Sequence, residues 1–351
     1  MRRLAALAAS AALSLGLAAC APRADGPIVL TYATSYSPTH PFSRADTDWI
    51  RYVETASHGR LKIKPYWSGS LLSADQSMLE IRHGVADIGL ITPIYVLGGA
   101  HLTSAQTAFY AGARSIDDQV AVYKCLAQAF PPLQRELDGL RVLMVQGGNL
   151  PGVITRDRPV RSPADIRGLR LRVPEENVGL VRALGGDPVS MPMSEVYPAM
   201  AKGVIDGVLV APDALGALHL AEVAHYYSDL HTPRGAYPAR AMSEARFRSL
   251  PPDLQKVLLD SEAVWEGSLS KNLGAAAKKG LAYGKGHGMT MIAVSPEAQQ
   301  AFDAAYIDVT RRDASRLDRY GASGAAMLAY AQTLIANTPA GQPVACPKEQ
   351  P

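Results

Sequence analysis

Residues 253–283 place Leu254, Leu258, Trp265, Leu269, Leu273 and Ala276 mostly at three- and four-residue steps. That spacing puts one apolar stripe along an α-helix. At 1.5 Å per residue such a helix is roughly 45 Å long. One α/β lobe needs less, so the helix is expected to lie along two bodies. A chain of 351 residues has enough material for two lobes, each with its own core.

Two β/α series precede this helix. In the first, 28–33 reads as a strand followed by a Ser/Pro/Thr/His loop through Pro41. Ser43 is placed to cap a helix whose apolar face is Ala45, Trp49, Tyr52, Val53 and Ala56, and Gly59 is placed to end it. Residues 61–64 alternate as a strand. Ser73 is placed to cap a helix over 74–83, and 85–91 is apolar apart from Asp87. The order β-α-β-α-β predicts an α/β lobe with a mostly parallel sheet. A helix over 117–130, a strand over 140–146 and a turn cluster over 147–152 follow. The second series has strands at 153–155, 169–173 and 204–210. Its helices lie at 177–184 and, capped by Ser194, at 195–202. Past the long helix, Ser295, Pro296 and Glu297 open another, and helical pattern runs to about Ala336. The tail from Asn337 is expected to be loose.

The first twenty residues have the form of an export signal. Arg2 and Arg3 precede a short apolar run ending in Ala18 and Ala19, too short to span a bilayer. Leu17, Ala18, Ala19 and Cys20 resemble a bacterial lipobox, which would make Cys20 the lipidated first residue. The alternative is cleavage after Ala21, which discards Cys20. Either way the mature protein is expected in the periplasm, with membrane contact through a lipid anchor if Cys20 is acylated. Cys125 and Cys346 remain, and an oxidising compartment permits a bridge between them. One core thiol and one tail thiol is the alternative. The 35 Lys+Arg against 32 Asp+Glu leave a nearly neutral surface, and no basic run interleaves with aromatics. A nucleic-acid partner is therefore not expected.

No catalytic constellation emerges. The eight histidines are scattered, and HExxH, CxxC, GxSxG and P-loop patterns do not occur. No metal and no cofactor are expected. Gly284, Gly286 and Gly288 resemble part of a nucleotide fingerprint but follow a helix, which suits a turn after a helix end. The neighbours Asp117 and Asp118, and Glu175 and Glu176, read as solvated charge.

A binding protein needs only a cleft, an anchor for charge and apolar walls. In the strand over 169–173, Leu169, Leu171 and Val173 share one face, and Arg170 and Arg172 share the other. Pro174 ends the strand. Arg172 thus stands at its carboxyl end, where open α/β sheets place ligands, and a guanidinium matches a carboxylate. The competing interpretation is two exposed arginines on a wet face.

Three ordered motifs resemble the dicarboxylate-type solute receptors of tripartite ATP-independent periplasmic (TRAP) transporters. They lie at 166–174, around Arg172; at 191–197, around Met193; and at 200–207, ending in Asp206 and Gly207. The segments 69–72 and 84–89 resemble the family's first-lobe pattern, and the likeness runs from about Ile28 to about Tyr320. The resemblance implies a two-lobed periplasmic binding protein fold of the α/β class, with hinge strands and a long helix across both lobes. The lobes are then 27–147 with 236–251, and 148–235, followed by helices over 252–336. It implies a receptor that closes on an organic acid, gripped by Arg172, and delivers it to ion-gradient-driven TRAP membrane subunits.

Some family features are missing. The place of a second cleft arginine falls near Pro151, no asparagine precedes Pro212, and Met193 stands where an aromatic is frequent. A cleft with fewer polar handles suggests one well-held carboxylate on an apolar or aromatic body. Asn149 could supply a hydrogen bond or simply form a turn. Tyr36 and Trp67 are further wall candidates, each also readable as core, and Thr92 follows a buried strand's carboxyl end on the cleft side. An ABC-importer receptor, a signalling sensor and an exported enzyme using Arg172 for substrate are the rival functions.

Overall fold

The computed structural model describes residues 26–96, 98–113, 115–339 and 342–347. The export segment and Cys20 lie outside the described residues.

Two sheets organise the chain. The first contains β1 (Ile28–Ala33), β2 (Leu61–Tyr66), β3 (Ile88–Leu90) and β4 (Leu140–Gln146). The second is built from β5 (Gly152–Thr155), β6 (Arg170–Arg172), β7 (Asp187–Val189), β8 (Gly207–Val210) and β9 (Tyr226–Ser228). The chain then returns to the first sheet through β10 (Tyr237–Ser243) and adds β11 (Thr290–Ile292) to the second. Strand orders are β2-β1-β3-β10-β4 and β11-β9-β5-β8-β6-β7. The pairs of β1 with β2 and β3 are parallel, and so are those of β6 with β7 and β8. The returning β10 runs antiparallel to β3 and β4, and β5 runs antiparallel to β8 and β9. Two short crossovers, 147–151 and 229–236, and the long helical segment 244–289 therefore join the sheets.

The long helical pattern divides at Ser261 into helices Pro252–Asp260 and Glu262–Gly286. The Ser261 hydroxyl donates to the Leu258 carbonyl and accepts from Trp49 Nε1, so a polar residue is buried at the break with its hydrogen bonds made. The longer helix, ~37 Å at 25 residues, still serves both halves. Trp265, Leu269 and Leu273 enter the core around Trp49 and Leu30. Leu281 and Tyr283 pack on the second core, around Leu215 and Val208. Gly280 permits this contact, because a Cβ there would strike the Pro212 carbonyl. The helix also runs through Gly284 and Gly286; of the three expected turn glycines only Gly288 is left-handed.

Several local expectations shift. His40, not Ser43, caps the helix Pro41–Ala56: its Nδ1 accepts from the Phe42 N–H at 3.2 Å. Pro41 fits the first helical position, so the helix starts early and leaves Ser43 buried. Ser73 caps nothing; its N–H and hydroxyl bind Glu80, and the helix begins only at Ser77. Cys125 and Cys346 form a disulfide. With Val344 buried as well, the tail is pinned to the first lobe through residue 346 and is not loose there.

A buried charge network was not anticipated. Arg240 and Asp46, both wholly buried, pair at 2.9 Å. Tyr32 and Trp265 donate to Asp46 at 2.6 and 2.7 Å, and Gln146 accepts from Arg240 at 2.6 Å. Asp46 thus accepts four hydrogen bonds, from Tyr32, Trp265 and two Arg240 nitrogens, which fill its carboxylate acceptor sites as a buried pair requires. Gln146 passes the network on to the Tyr237 hydroxyl at 3.0 Å.

Candidate functional site

The two arginines of β6 have opposite environments. Arg170, exposed, is tied to Asp206: its Nη2 donates to Oδ1 at 2.6 Å and its backbone N–H to Oδ2 at 2.8 Å. Arg172 is only 2% exposed. Its Nε donates to the Met191 carbonyl at 3.0 Å, and its Nη2 donates to the Tyr95 hydroxyl at 2.7 Å. The shared face runs from solvent at the amino end of β6 into a cavity at the carboxyl end, where β7 and β8 flank it.

That cavity, about 70 Å³, lies between the sheets. The first lobe contributes Tyr36, His40, Phe42, Ile94 and Tyr95. The second contributes Arg172, Glu176, Met193, Leu209, Asp213 and Leu218. Pro151 of one crossover and Arg234 of the other complete it, with Tyr237 at the start of β10. Several water-sized volumes fit such a space, so a compact ligand suits it. A larger depression of about 350 Å³ adjoins it and shares Asp213, but is walled by Arg44, Lys279 and Tyr283 and lacks both cavity arginines.

Burial sets the charges. It pushes the Tyr36 hydroxyl far above its usual range, reinforced by Tyr95 and Tyr237, and lifts Tyr237 to about 12. It also lowers His40 to about 3, with Arg240 adding to the effect, so the imidazole is neutral and stacks on Tyr36 at 4.1 Å. Glu176 is raised by burial against the pull of Arg234 and Arg172. Asp213 is raised by burial against its Asn149 hydrogen bond and Arg234. Among the described residues Arg234 makes no hydrogen bond or ion pair. It lies flat against Gly148, where a Cβ would come within 2.7 Å of its Nε and Nη1.

The family model for bacterial extracellular solute-binding proteins, family 7, matches residues 32–316. The chain belongs to that family. A solute-binding protein of Albidiferax ferrireducens is 27% identical over 223 residues, 61% of this chain and 64% of that relative. The chain thus spans just under two-thirds of that relative's length. A TRAP solute-binding protein from Rhodoferax ferrireducens, solved with copurified benzoate, has the same fold, with a TM-score of 0.80 at 23% identity. The match covers 88% of this chain and 98% of that one. A TRAP periplasmic solute-binding protein from Desulfovibrio salexigens, in an open complex, gives 0.75 at 26% identity, covering 90% and 98%. The TRAP resemblance and the two-lobed α/β fold are borne out.

Three of the six wall residues expected of this family-7 protein meet in the cavity: Arg172, Met193 and Tyr36. The other three lie outside it. Asn149 Nδ2 holds Asp213 Oδ1 at 2.9 Å and the Leu273 carbonyl at 3.0 Å, so it braces the site from behind. Thr92 is buried; its N–H donates to Ser77 Oγ and its hydroxyl to the Ala74 carbonyl. Trp67 turns into the first core, edge-on to Tyr32 at 5.9 Å. The cavity also holds more polar groups than its sequence suggests. Arg234, Glu176, Asp213 and Tyr95 were missed, and Glu176 is a cavity residue bonded to Thr107 Oγ1 at 3.3 Å, not solvated charge. An Arg followed by Gly235 in a strandless stretch was the only local hint of the second arginine.

Proposed function

We propose that this chain is the exported receptor of a TRAP transporter, closing around an organic acid whose carboxylate is gripped by Arg172 and Arg234. Phe42, Ile94, Leu209 and Leu218, with the tyrosine rings, then hold an apolar or aromatic body. One observation carries this reading: a buried guanidinium at a strand's carboxyl end shares its cavity with a second that has no protein partner among the described residues. Arg172 keeps donor capacity beyond its bonds to Met191 and Tyr95, the half-buried Arg234 has all of its own, and an incoming carboxylate offers them bidentate acceptors. The benzoate in the Rhodoferax relative agrees with that ligand class.

Closure is a hinge motion about the crossovers 147–151 and 229–236, favoured because the ligand touches both lobes at once. Contacts that cross between the lobes, Arg172 to Tyr95 and Glu176 to Thr107, belong to the closed form. Delivery to ion-coupled membrane subunits follows from family membership. A role in binding rather than turnover fits a cavity that brings together, among the described residues, guanidiniums, phenols, two carboxyls and a His40 whose Nδ1 is committed to the Phe42 N–H. A lipid anchor at Cys20 rests on the residues preceding it alone, and fatty-acid labelling of the exported protein tests it.

The receptor reading is tested by melting-shift measurements against mono- and dicarboxylic acids, benzoate included. A ligand at a hundred times its Kd stabilises by about 2.7 kcal/mol. Arg172→Ala should abolish that shift; an undiminished shift in the variant overturns the assignment.

A further inference from the structure

Accepting that the central cavity takes an organic acid, we propose that the adjoining depression is a second, separate binding site for a small hydrated dianion of the phosphate type, and that its occupant favours the closed receptor. At about 350 Å³ the depression has the size of a small-molecule site. Three bodies wall it. The first lobe gives Thr39 and Arg44, at the start of the helix Pro41–Ala56. The second lobe gives Gly216 and His219, and the long helix Glu262–Gly286 gives Asn272 and Lys279.

Charge decides what fits. Arg44 and Lys279 are exposed, and among the described residues neither forms an ion pair. Arg44 Nε donates to the Thr39 carbonyl at 3.1 Å, which steadies the side chain and leaves its terminal nitrogens free to donate. Asn272 gives its amide hydrogens to Ser268, so recognition falls to the cations. Asp213 is the one carboxyl in the described wall, and its Oδ1 already accepts from Asn149. Glu222 meets His219 Nδ1 at 2.9 Å and also accepts from Tyr283 and Tyr197, at 2.7 and 3.2 Å, so it is spent on the rim. His219 itself is held in the left-handed region, at φ 57°. That conformation is uncommon for a residue with a side chain, and such strain gathers at ligand clamps. Two cations against one carboxyl draw an anion, and positive groups on different bodies suit one with two charges. The large aliphatic side chains of the acid cavity have no counterpart here, and Gly216, Ala217, Ala275 and Ala276 leave room for a hydration shell.

The walls also give the site a function. Hinge opening draws Arg44 of one lobe away from His219 of the other, while Lys279 stays on the helix that serves both. An anion held by all three binds the closed form better, and by linkage it raises the affinity for the acid. Its charge is offset by Arg44 and Lys279, which line the depression and not the acid cavity; Asp213 lines both.

The test is a melting-shift titration of the mature wild-type protein with sodium phosphate, sodium chloride keeping the ionic strength constant, first with no organic acid present. Phosphate should give a saturable rise that chloride does not. Arg44→Gln combined with Lys279→Gln, both at exposed positions, should weaken phosphate binding about tenfold or more. The phosphate shift should survive in Arg172→Ala, in which acid binding is lost. Calorimetric titration of benzoate, or of the acid with the largest melting shift where benzoate does not bind, should then show about fivefold tighter binding at saturating phosphate. The double variant should show no such gain. A wild-type response to phosphate no larger than to chloride overturns the proposal. So does a phosphate shift undiminished in the double variant, or one lost in Arg172→Ala, which would put the anion in the acid cavity. Acid affinity unchanged or lowered by phosphate overturns the coupling. If no acid binds the wild type, the receptor reading falls, and the phosphate titration alone decides the second site.

Discussion

Gly148→Ala separates the binding role of Arg234 from any role in folding. Gly148 is not among the left-handed glycines, so alanine is conformationally allowed there. Its N–H and carbonyl are clamped by the Gln119 side chain at 2.8 and 3.0 Å, bonds that alanine keeps. The new methyl would sit within 2.7 Å of Arg234 Nε and Nη1. That is the free end of a flexible side chain, so the guanidinium swings aside and the backbone stays. Losing one charge-assisted contact to the ligand costs about 1.5–3 kcal/mol, or about 10- to 150-fold in Kd. Stability without ligand should instead rise by roughly 0.4–1 kcal/mol, because alanine narrows the unfolded ensemble. Calorimetric titration of whichever acid gives the largest melting shift reads the first effect, and ligand-free melting reads the second. If Gly148 acts only through Arg234, the double variant with Arg234→Ala binds no more weakly than Arg234→Ala alone. Affinity unchanged in Gly148→Ala, or additive losses in the double variant, would refute the reasoning.

Asp46→Asn should destabilise by about 3–5 kcal/mol in denaturant unfolding, since it strands the wholly buried Arg240; a change below about 1 kcal/mol would contradict the network. Replacing both Cys125 and Cys346 by serine should cost about 2–5 kcal/mol, because the bridge ties residues 221 apart, and adding reductant to the wild type should lower its melting point likewise. His40 is held near 3 when folded, against about 6.5 in the unfolded chain. The unfolded state therefore binds the extra proton, and stability falls as pH drops from about 6.5 toward 3. His40→Asn, which can still cap the helix, should flatten that part of the stability–pH curve; an unchanged slope would show that His40 is not the group responsible.

The sequence by itself determined the local units: period-two strands, helical stretches, two β/α series and a helix too long for one lobe. It also placed Arg172 at a strand's carboxyl end, because alternation and the following Pro174 are properties of adjacent residues. It left open whether Arg172 is buried or lies with Arg170 on a wet face; only the packing of β6 between β7 and β8 submerged one and left the other to Asp206. The second arginine comes from the crossover 229–236 and rests on Gly148 of the other crossover, a meeting with no trace in either segment alone. Asp46 and Arg240 lie 194 residues apart, and Trp67 and Thr92, both candidates for the cleft wall, pack elsewhere in the first lobe. Local propensity acts through a few neighbouring residues. Which charges lose their water, and which partners replace it, is decided only when distant segments close over them.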